Sequence, residues 1–158
     1  MGLEIERRFL VQGDGWRGLA EGVLYRQGFL STDKDRVVRV RMAGEQASLT
    51  IKGATQGITK HEFEYAIPLS DAQVLLNELC LTPLIEKTRY RIAQGGVLWE
   101  VDEFAGDNQG LILAEVELTH AQQELFLPEW IGKEISLDPR YFNSNLVQTP
   151  YIRWKTDP

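Results

Sequence analysis

A chain of 158 residues with 43% hydrophobic and 25% charged side chains has the composition of an ordinary folded domain, long enough to bury a core without staples. Its net charge of −6 excludes a general nucleic-acid or acidic-membrane binder, since both need a basic surface, but leaves room for a local basic site. No apolar run approaches the ~18 residues of a membrane span and the charged N-terminus lacks a signal core, so the cytoplasm is the expected location.

The dominant pattern along the chain is period two. Strands are expected at about 2–11, 22–32, 35–43, 46–53, 58–68, 84–94, 97–105 and 110–118, each with β-branched or aromatic residues and bounded by turn residues. Gly44-Glu45, Gly95-Gly96 and the Gly106–Gly110 stretch are short links, which make sequence neighbours pair antiparallel. Gly106–Gly110 reads as a hairpin loop rather than a phosphate loop, because it lacks the Gly-Lys-Ser/Thr ending.

Between the fifth and sixth strands, Ser70 followed by Gln73 resembles a capping box and predicts a helix with Val74, Leu75 and Leu79 on its apolar side. The lone cysteine, Cys80, excludes an intrachain disulfide and, beside Leu79 and Leu81, reads as a small core residue. Thr119 with Gln122 repeats the capping pattern ahead of a shorter helix ending near Pro128, and Asp138 to Asn145 predicts a further helical turn. The expected fold class is α+β, mainly β, with two or three peripheral helices.

Alternation decides where the charges fall. Glu4, Glu6 and Arg8 share one face of the first strand, opposite Leu3, Ile5 and Phe9. Arg39 and Arg41 oppose Val38 and Val40; Thr50 and Lys52 oppose Leu49 and Ile51; Glu62 and Glu64 oppose Phe63 and Tyr65. Lys87, Arg89 and Arg91 oppose Thr88, Tyr90 and Ile92; Glu100 and Asp102 oppose Trp99 and Val101; Glu115 and Glu117 oppose Ala114, Val116 and Leu118.

The plain interpretation is a half-buried sheet with its polar face in water. Three features oppose it. The polar parity is rich in full charges and poor in Ser, Thr and Gln. Charges of one sign recur two residues apart, ~7 Å along a strand, where a like pair costs on the order of 2 kcal/mol at an effective dielectric near 20. Acidic and basic sets repeat around one sheet. An eight-stranded antiparallel sheet also tends to close, which removes its edges. A closed eight-stranded antiparallel β-barrel with the charged parity inward turns that repulsion to use. Carboxylate oxygens suit Mg²⁺ or Mn²⁺, and Arg and Lys suit phosphate oxygens. Such an interior is a site for a metal–polyphosphate complex.

Glu4-x-Glu6-x-Arg8 at the N-terminus resembles the ExExK signature of the CYTH superfamily, the triphosphate tunnel metalloenzymes, in their short bacterial form. Arg39-x-Arg41, Thr50-Ile51-Lys52, Glu62-Phe63-Glu64, Glu86-Lys87-Thr88-Arg89, Val101-Asp102 and Glu115-Val116-Glu117 follow in the family's order. Glu129-Trp130-Ile131-Gly132-Lys133-Glu134 and Arg140-Tyr141-Phe142-Asn143 also resemble the short members. The likeness runs from residue 3 to about 146, so residues 1–158 are expected to form one such domain.

The resemblance implies a tunnel and divalent-metal-dependent cleavage of triphosphates. By position it makes Glu4, Glu6, Asp102, Glu115 and Glu117 metal ligands or supporting acids. Arg8, Arg39, Arg41, Lys52, Lys87 and Arg89 become phosphate contacts, while Glu62 and Glu64 either bind metal or orient neighbouring cations. Glu4, Glu6, Arg8 and Lys87 are the expected catalytic set. The sequence departs from the pattern at Arg8, usually Lys, and at Phe29, commonly Tyr. Arg does not give up its proton and Phe has none, so a Lys–Tyr proton relay is excluded.

Inorganic triphosphate is the expected substrate, because no base- or thiamine-recognition pocket stands out. Adenylate cyclase, thiamine triphosphatase and a non-catalytic polyphosphate-binding module are the alternatives. An apolar-ligand carrier barrel would place some fifteen charges outside and is set aside. His61 is expected at the surface or rim, His120 in a structural helix turn, and Trp16, Trp130 and Trp154 in packing roles.

Overall fold

A computed structural model of the chain describes residues 2–156. Nine strands form: β1 Leu3–Val11, β2 Gly22–Ser31, β3 Arg36–Ala43, β4 Gln46–Gly53, β5 Thr59–Ala66, β6 Ile85–Gln94, β7 Val97–Phe104, β8 Ile112–Glu117 and β9 Ile131–Glu134. Eight match the alternation read from the sequence. β9 is four residues long, too short for alternation to reveal.

The strand order is β5-β4-β3-β2-β6-β7-β8-β1-β9, and a further β5–β1 pairing closes β1 to β8 into an antiparallel barrel. Leu3 to Ile5 of β1 pair with β5, whereas Phe9 and Val11 register with β9. β9 thus extends the sheet beside the part of β1 that β5 leaves uncovered. Closure satisfies backbone groups that an open edge would expose.

Because the charged parity points inward, most of the apolar core lies outside the barrel. Phe9, Trp16, Trp99, Val101, Val116 and Trp130 form one cluster on the outer face of β1, β7 and β8, sealed by the segments around Trp16 and Trp130. Trp99 and Trp130 meet edge to face at 5.9 Å. Val40, Ala47, Ala72 and Leu76 form a second cluster beneath the helix that follows β5.

At one end of the barrel the inward parity itself turns apolar. Leu10, Phe29, Val37, Ile85, Phe104 and Leu113 continue the rows that carry the charges, and they pack against Ile135, Tyr141, Leu146 and Val147. The C-terminal segment therefore supplies an apolar stopper for that end. Phe29 belongs to this stopper, which gives its apolar ring a packing role.

The helices differ from expectation. Helix α1 spans Leu69–Val74 behind Pro68 at its N-cap, with no side-chain cap, so Ser70 lies within the first turn. It continues as a π turn, Leu75–Leu79, closed by Cys80 N–H donating to the Leu75 carbonyl at 2.9 Å. The buried face is Ala72 and Leu76, one turn apart, leaving Val74 and Leu79 exposed. Cys80 is half-buried against this cluster.

No helix forms between Thr119 and Pro128. The Gln123 side-chain oxygen accepts from the Thr119 N–H at 2.7 Å and from its hydroxyl at 3.0 Å, diverting the groups that would cap a helix into a local loop. His120 is consequently an exposed loop residue. The turn expected at Asp138 to Asn145 resolves into a 3₁₀ turn, Pro139–Tyr141, and helix α2, Asn143–Gln148. Asp138 caps the 3₁₀ turn by accepting from the Arg140 N–H at 3.1 Å.

Candidate functional site

Twelve of the thirteen site residues expected from the sequence line one cavity of about 700 Å³: Glu4, Glu6, Arg8, Arg39, Arg41, Lys52, Glu62, Glu64, Lys87, Arg89, Glu115 and Glu117. Register and closure divide its wall by sign. The neighbouring strands β4, β3, β2 and β6 carry Lys52, Arg39, Arg41, Lys87 and Arg89; β7, β8, β1 and β5 carry Glu100, Glu115, Glu117, Glu4, Glu6, Glu62 and Glu64, with Arg8 and Lys60 set among these carboxylates. Glu6 registers opposite Glu117, and Glu115 opposite both Arg8 and Glu100, so the carboxylates are neighbours across strands as well as along them.

Asp102 is the thirteenth. It is 1% exposed and lies behind the wall, not in the cavity lining. Its oxygens accept from Arg89 Nε at 2.7 Å and Nη2 at 2.8 Å, and Lys87 Nζ sits 2.8 Å away. Both oxygens are occupied by cations of its own chain. The geometry fits a residue that holds Lys87 and Arg89 in place rather than one that reaches an ion in the cavity.

Arg8 is also committed. It donates to Glu6 Oε1 at 3.0 Å and to the Tyr141 carbonyl at 3.1 Å, and its guanidinium lies 5.0 Å over the Phe142 ring. An ammonium in its place would lack the planar fork that serves two partners at once.

Several site residues were missed from the sequence. Lys60 lines the cavity 3.7 Å from Glu4 Oε1 and 3.6 Å from Glu6 Oε1. Its parity matches that of Glu62 and Glu64, so alternation alone could have found it. Tyr25 and Gln27 come from the one strand without inward charge, where nothing drew the eye. Asn143 and Phe142 arrive from the C-terminal segment; the Arg140-Tyr141-Phe142-Asn143 motif marks them as a family likeness, but no spacing assigns them to the site. His61 is exposed on the outer face, stacked on Phe63.

Burial moves the ionisations of the two halves in opposite senses. On the acidic side, burial raises Glu4, aided by neighbouring Glu62 against the pull of Lys52. Burial likewise raises Glu6, aided by Glu115, and Glu117, aided by Glu4 and Glu6. On the basic side, burial lowers Lys87 to about 7 against the pull of Asp102, with Arg89 and Arg41 lowering it further. Arg41 falls to about 9 through burial and the proximity of Arg39 and Arg89. Glu115 goes the other way: its burial is overcome by Arg8, Arg89 and Lys87, which hold it well below the carboxylate range. For the other groups in each half, burial outweighs the counter-charges nearby, Lys52, Lys60 and Arg8 among the carboxylates and Asp102 beside Lys87.

Two buried atoms make the same point. Glu4 Oε1 has no hydrogen-bond donor and Arg39 Nε has no acceptor, although both residues line the cavity. A buried polar group without a partner costs ~1–3 kcal/mol and is rare unless something else satisfies it. Among the described residues no three acidic, histidine or cysteine side chains are gathered closely enough to cage an ion by themselves. The donor set nevertheless fits a hard divalent ion: it is all carboxylate oxygen, and Glu4 offers one buried oxygen without a hydrogen-bond donor, with the Lys52 and Lys60 ammonium groups 3.6 and 3.7 Å away.

A closed barrel whose inner wall sets Arg and Lys against carboxylates has the chemistry to receive a metal–polyphosphate complex. The CYTH domain model matches residues 2–149, and the chain belongs to that family. It is 50% identical over 155 residues to an inorganic triphosphatase of Acetivibrio thermocellus, covering 98% of this chain and 99% of that protein. It is 36% identical over 148 residues to an inorganic triphosphatase of Nitrosomonas europaea, covering 91% and 96%. A solved structure of an inorganic triphosphatase superposes with a TM-score of 0.66 at 35% identity, covering 91% of this chain and 93% of that one. A putative adenylate cyclase from Bacillus halodurans, 16% identical with a TM-score of 0.63, shares the fold.

Proposed function

We propose that this protein hydrolyses inorganic triphosphate in its barrel interior with the aid of Mg²⁺ or Mn²⁺. The observation that carries the reading is the pairing, in one cavity, of a buried carboxylate oxygen without a donor and a buried guanidinium N–H without an acceptor. A metal–triphosphate complex satisfies both at once. The inorganic triphosphatases at 50% and 36% identity support the same substrate.

Arg39, Arg41, Lys52, Lys87 and Arg89 hold phosphate oxygens and stabilise charge as the phosphoryl group transfers, so their contribution is positioning and electrostatics. Lys87 is the catalytic cation of this set. Asp102 supports it from behind. Arg8 keeps Glu6 oriented and anchors the segment through Tyr141 and Phe142. CYTH triphosphatases are generally metal-dependent. Glu4, Glu6 and Glu117 would hold the divalent ion, with Glu62 and Glu115 beside them; bound there, it would neutralise phosphate oxygens and acidify the attacking water. Glu64, at the rim 3.8 Å from Arg39, orients that guanidinium. The enclosing wall limits the water that would weaken these contacts.

No helix among the described residues is long and apolar enough to cross a membrane. We place the protein in the cytoplasm and take the chain as one domain.

Phosphate release from inorganic triphosphate, ATP and thiamine triphosphate, each with Mg²⁺, Mn²⁺ or a chelator, tests the proposal. Release from inorganic triphosphate that the chelator abolishes is the expected result. Cyclic AMP and pyrophosphate from ATP, or binding of all three without release, would overturn it.

A further inference from the structure

Strand β2 is the one barrel strand that sends no charge inward. Its inward row is Tyr25, Gln27 and Phe29, and it lies between β3 and β6, whose inward rows carry Arg39, Arg41, Lys87 and Arg89. Gln27 is 0% exposed, and both ends of its amide are used. Its Oε1 accepts from Arg41 Nε at 2.9 Å. Its Nε2 donates to Asn143 Oδ1 at 3.0 Å, and the same oxygen accepts from Lys87 Nζ at 2.7 Å. The amide orientation is fixed by this chain: flipped, its NH₂ would face the Arg41 N–H, donor against donor.

The consequence concerns Arg41. Among the described residues no carboxylate lies within 4.0 Å of its guanidinium, unlike those of Arg8, Arg39 and Arg89. Arg41 is held instead by two neutral groups, the Gln27 carbonyl at its Nε and the Tyr25 ring 4.8 Å from its Cζ. A neutral acceptor at Nε fixes the plane of the guanidinium and leaves the terminal nitrogens and the full charge for an anion. A carboxylate there would fix the same plane while cancelling that charge.

We propose that Gln27 is a positioning residue for substrate: its neutral amide orients Arg41 toward the phosphate chain and couples it, through Asn143, to Lys87. This rests on the reading of the cavity as a triphosphate site.

The test compares Gln27→Leu, which removes both hydrogen bonds, with Gln27→Glu, which keeps an acceptor for Arg41 but adds a charge. KM and kcat for inorganic triphosphate are measured alongside calorimetric binding of inorganic triphosphate to the metal-free protein, and melting temperatures are recorded. Losing an orienting bond to a charged group is expected to raise KM by ~10-fold in Gln27→Leu, with kcat moving less than ~3-fold. Gln27→Glu is expected to melt no lower than Gln27→Leu yet to bind triphosphate more weakly. A purely structural role gives the reverse ranking, in which the better-folded variant binds better. KM and metal-free affinity within ~2-fold of wild type in both variants, or tighter binding by Gln27→Glu, would overturn the inference. The binding measurement needs no turnover: a wild-type protein that binds triphosphate without cleaving it sinks the proposed activity and still decides the role of Gln27.

Discussion

Replacing Asp102 by Asn isolates what the carboxylate behind the basic wall contributes. The side chain keeps its shape, but Lys87 at 2.8 Å and Arg89 at 2.7 and 2.8 Å lose their counter-charge where both are almost fully buried. Breaking a buried pair from one side typically costs ~3–5 kcal/mol, because a charge is left without compensation. At ~2–4 °C per kcal/mol for a domain of this size, the melting temperature should fall by ~6–20 °C at pH 7.

The pH dependence has a definite sign. Lys87 already ionises at about 7 in the fold, against 10.5 ordinarily, so between those values the unfolded chain binds more protons and stability rises with pH. Without Asp102, the cause that raises Lys87, its ionisation falls further, and the variant sheds that charge at a lower pH. The deficit of Asp102→Asn relative to wild type should therefore shrink as pH rises from 6 through about 7 and then level off toward pH 9. Thermal melts across that range, with KM for inorganic triphosphate at pH 7, are the assay. A variant that melts within ~2 °C of wild type at pH 7 with unchanged KM would refute the assignment of Asp102 as the support for Lys87 and Arg89.

Binding of inorganic triphosphate to the metal-free protein at pH 8 should raise Lys87 above its value of about 7, so wild type should take up close to one proton more than Lys87→Met, read from the dependence of binding enthalpy on buffer ionisation. Glu4→Gln and Glu117→Gln should each abolish metal-dependent phosphate release while leaving the melt near wild type; full activity in both removes the metal assignment. Gly28→Ala should destabilise the fold by ~1–3 kcal/mol in denaturant titration, because the added methyl would stand 2.7 Å from Leu84 Cδ2 and 2.8 Å from Cys80 Cβ.

Alternation determined most of this protein. A side-chain period of two fixes which residues share a face, so Glu4, Glu6 and Arg8, or Lys87 and Arg89, had to stand together whatever the tertiary arrangement. The tendency of a long antiparallel sheet to close then sent that face inward. The helices after β5 and β8 were less legible: Pro68 and a π turn reset one, and the Gln123 side chain replaced the other with a loop.

Only the tertiary structure decided contacts between segments far apart in sequence. Asp102 shares the parity of Glu100, yet the approach of Lys87 and Arg89 from β6 places its oxygens behind the wall. Gln27 and Asn143 lie 116 residues apart, and their hydrogen bond exists because the C-terminal segment docks on the barrel end. Local periodicity tells each side chain which way to point; it carries no information about which distant group will be waiting there.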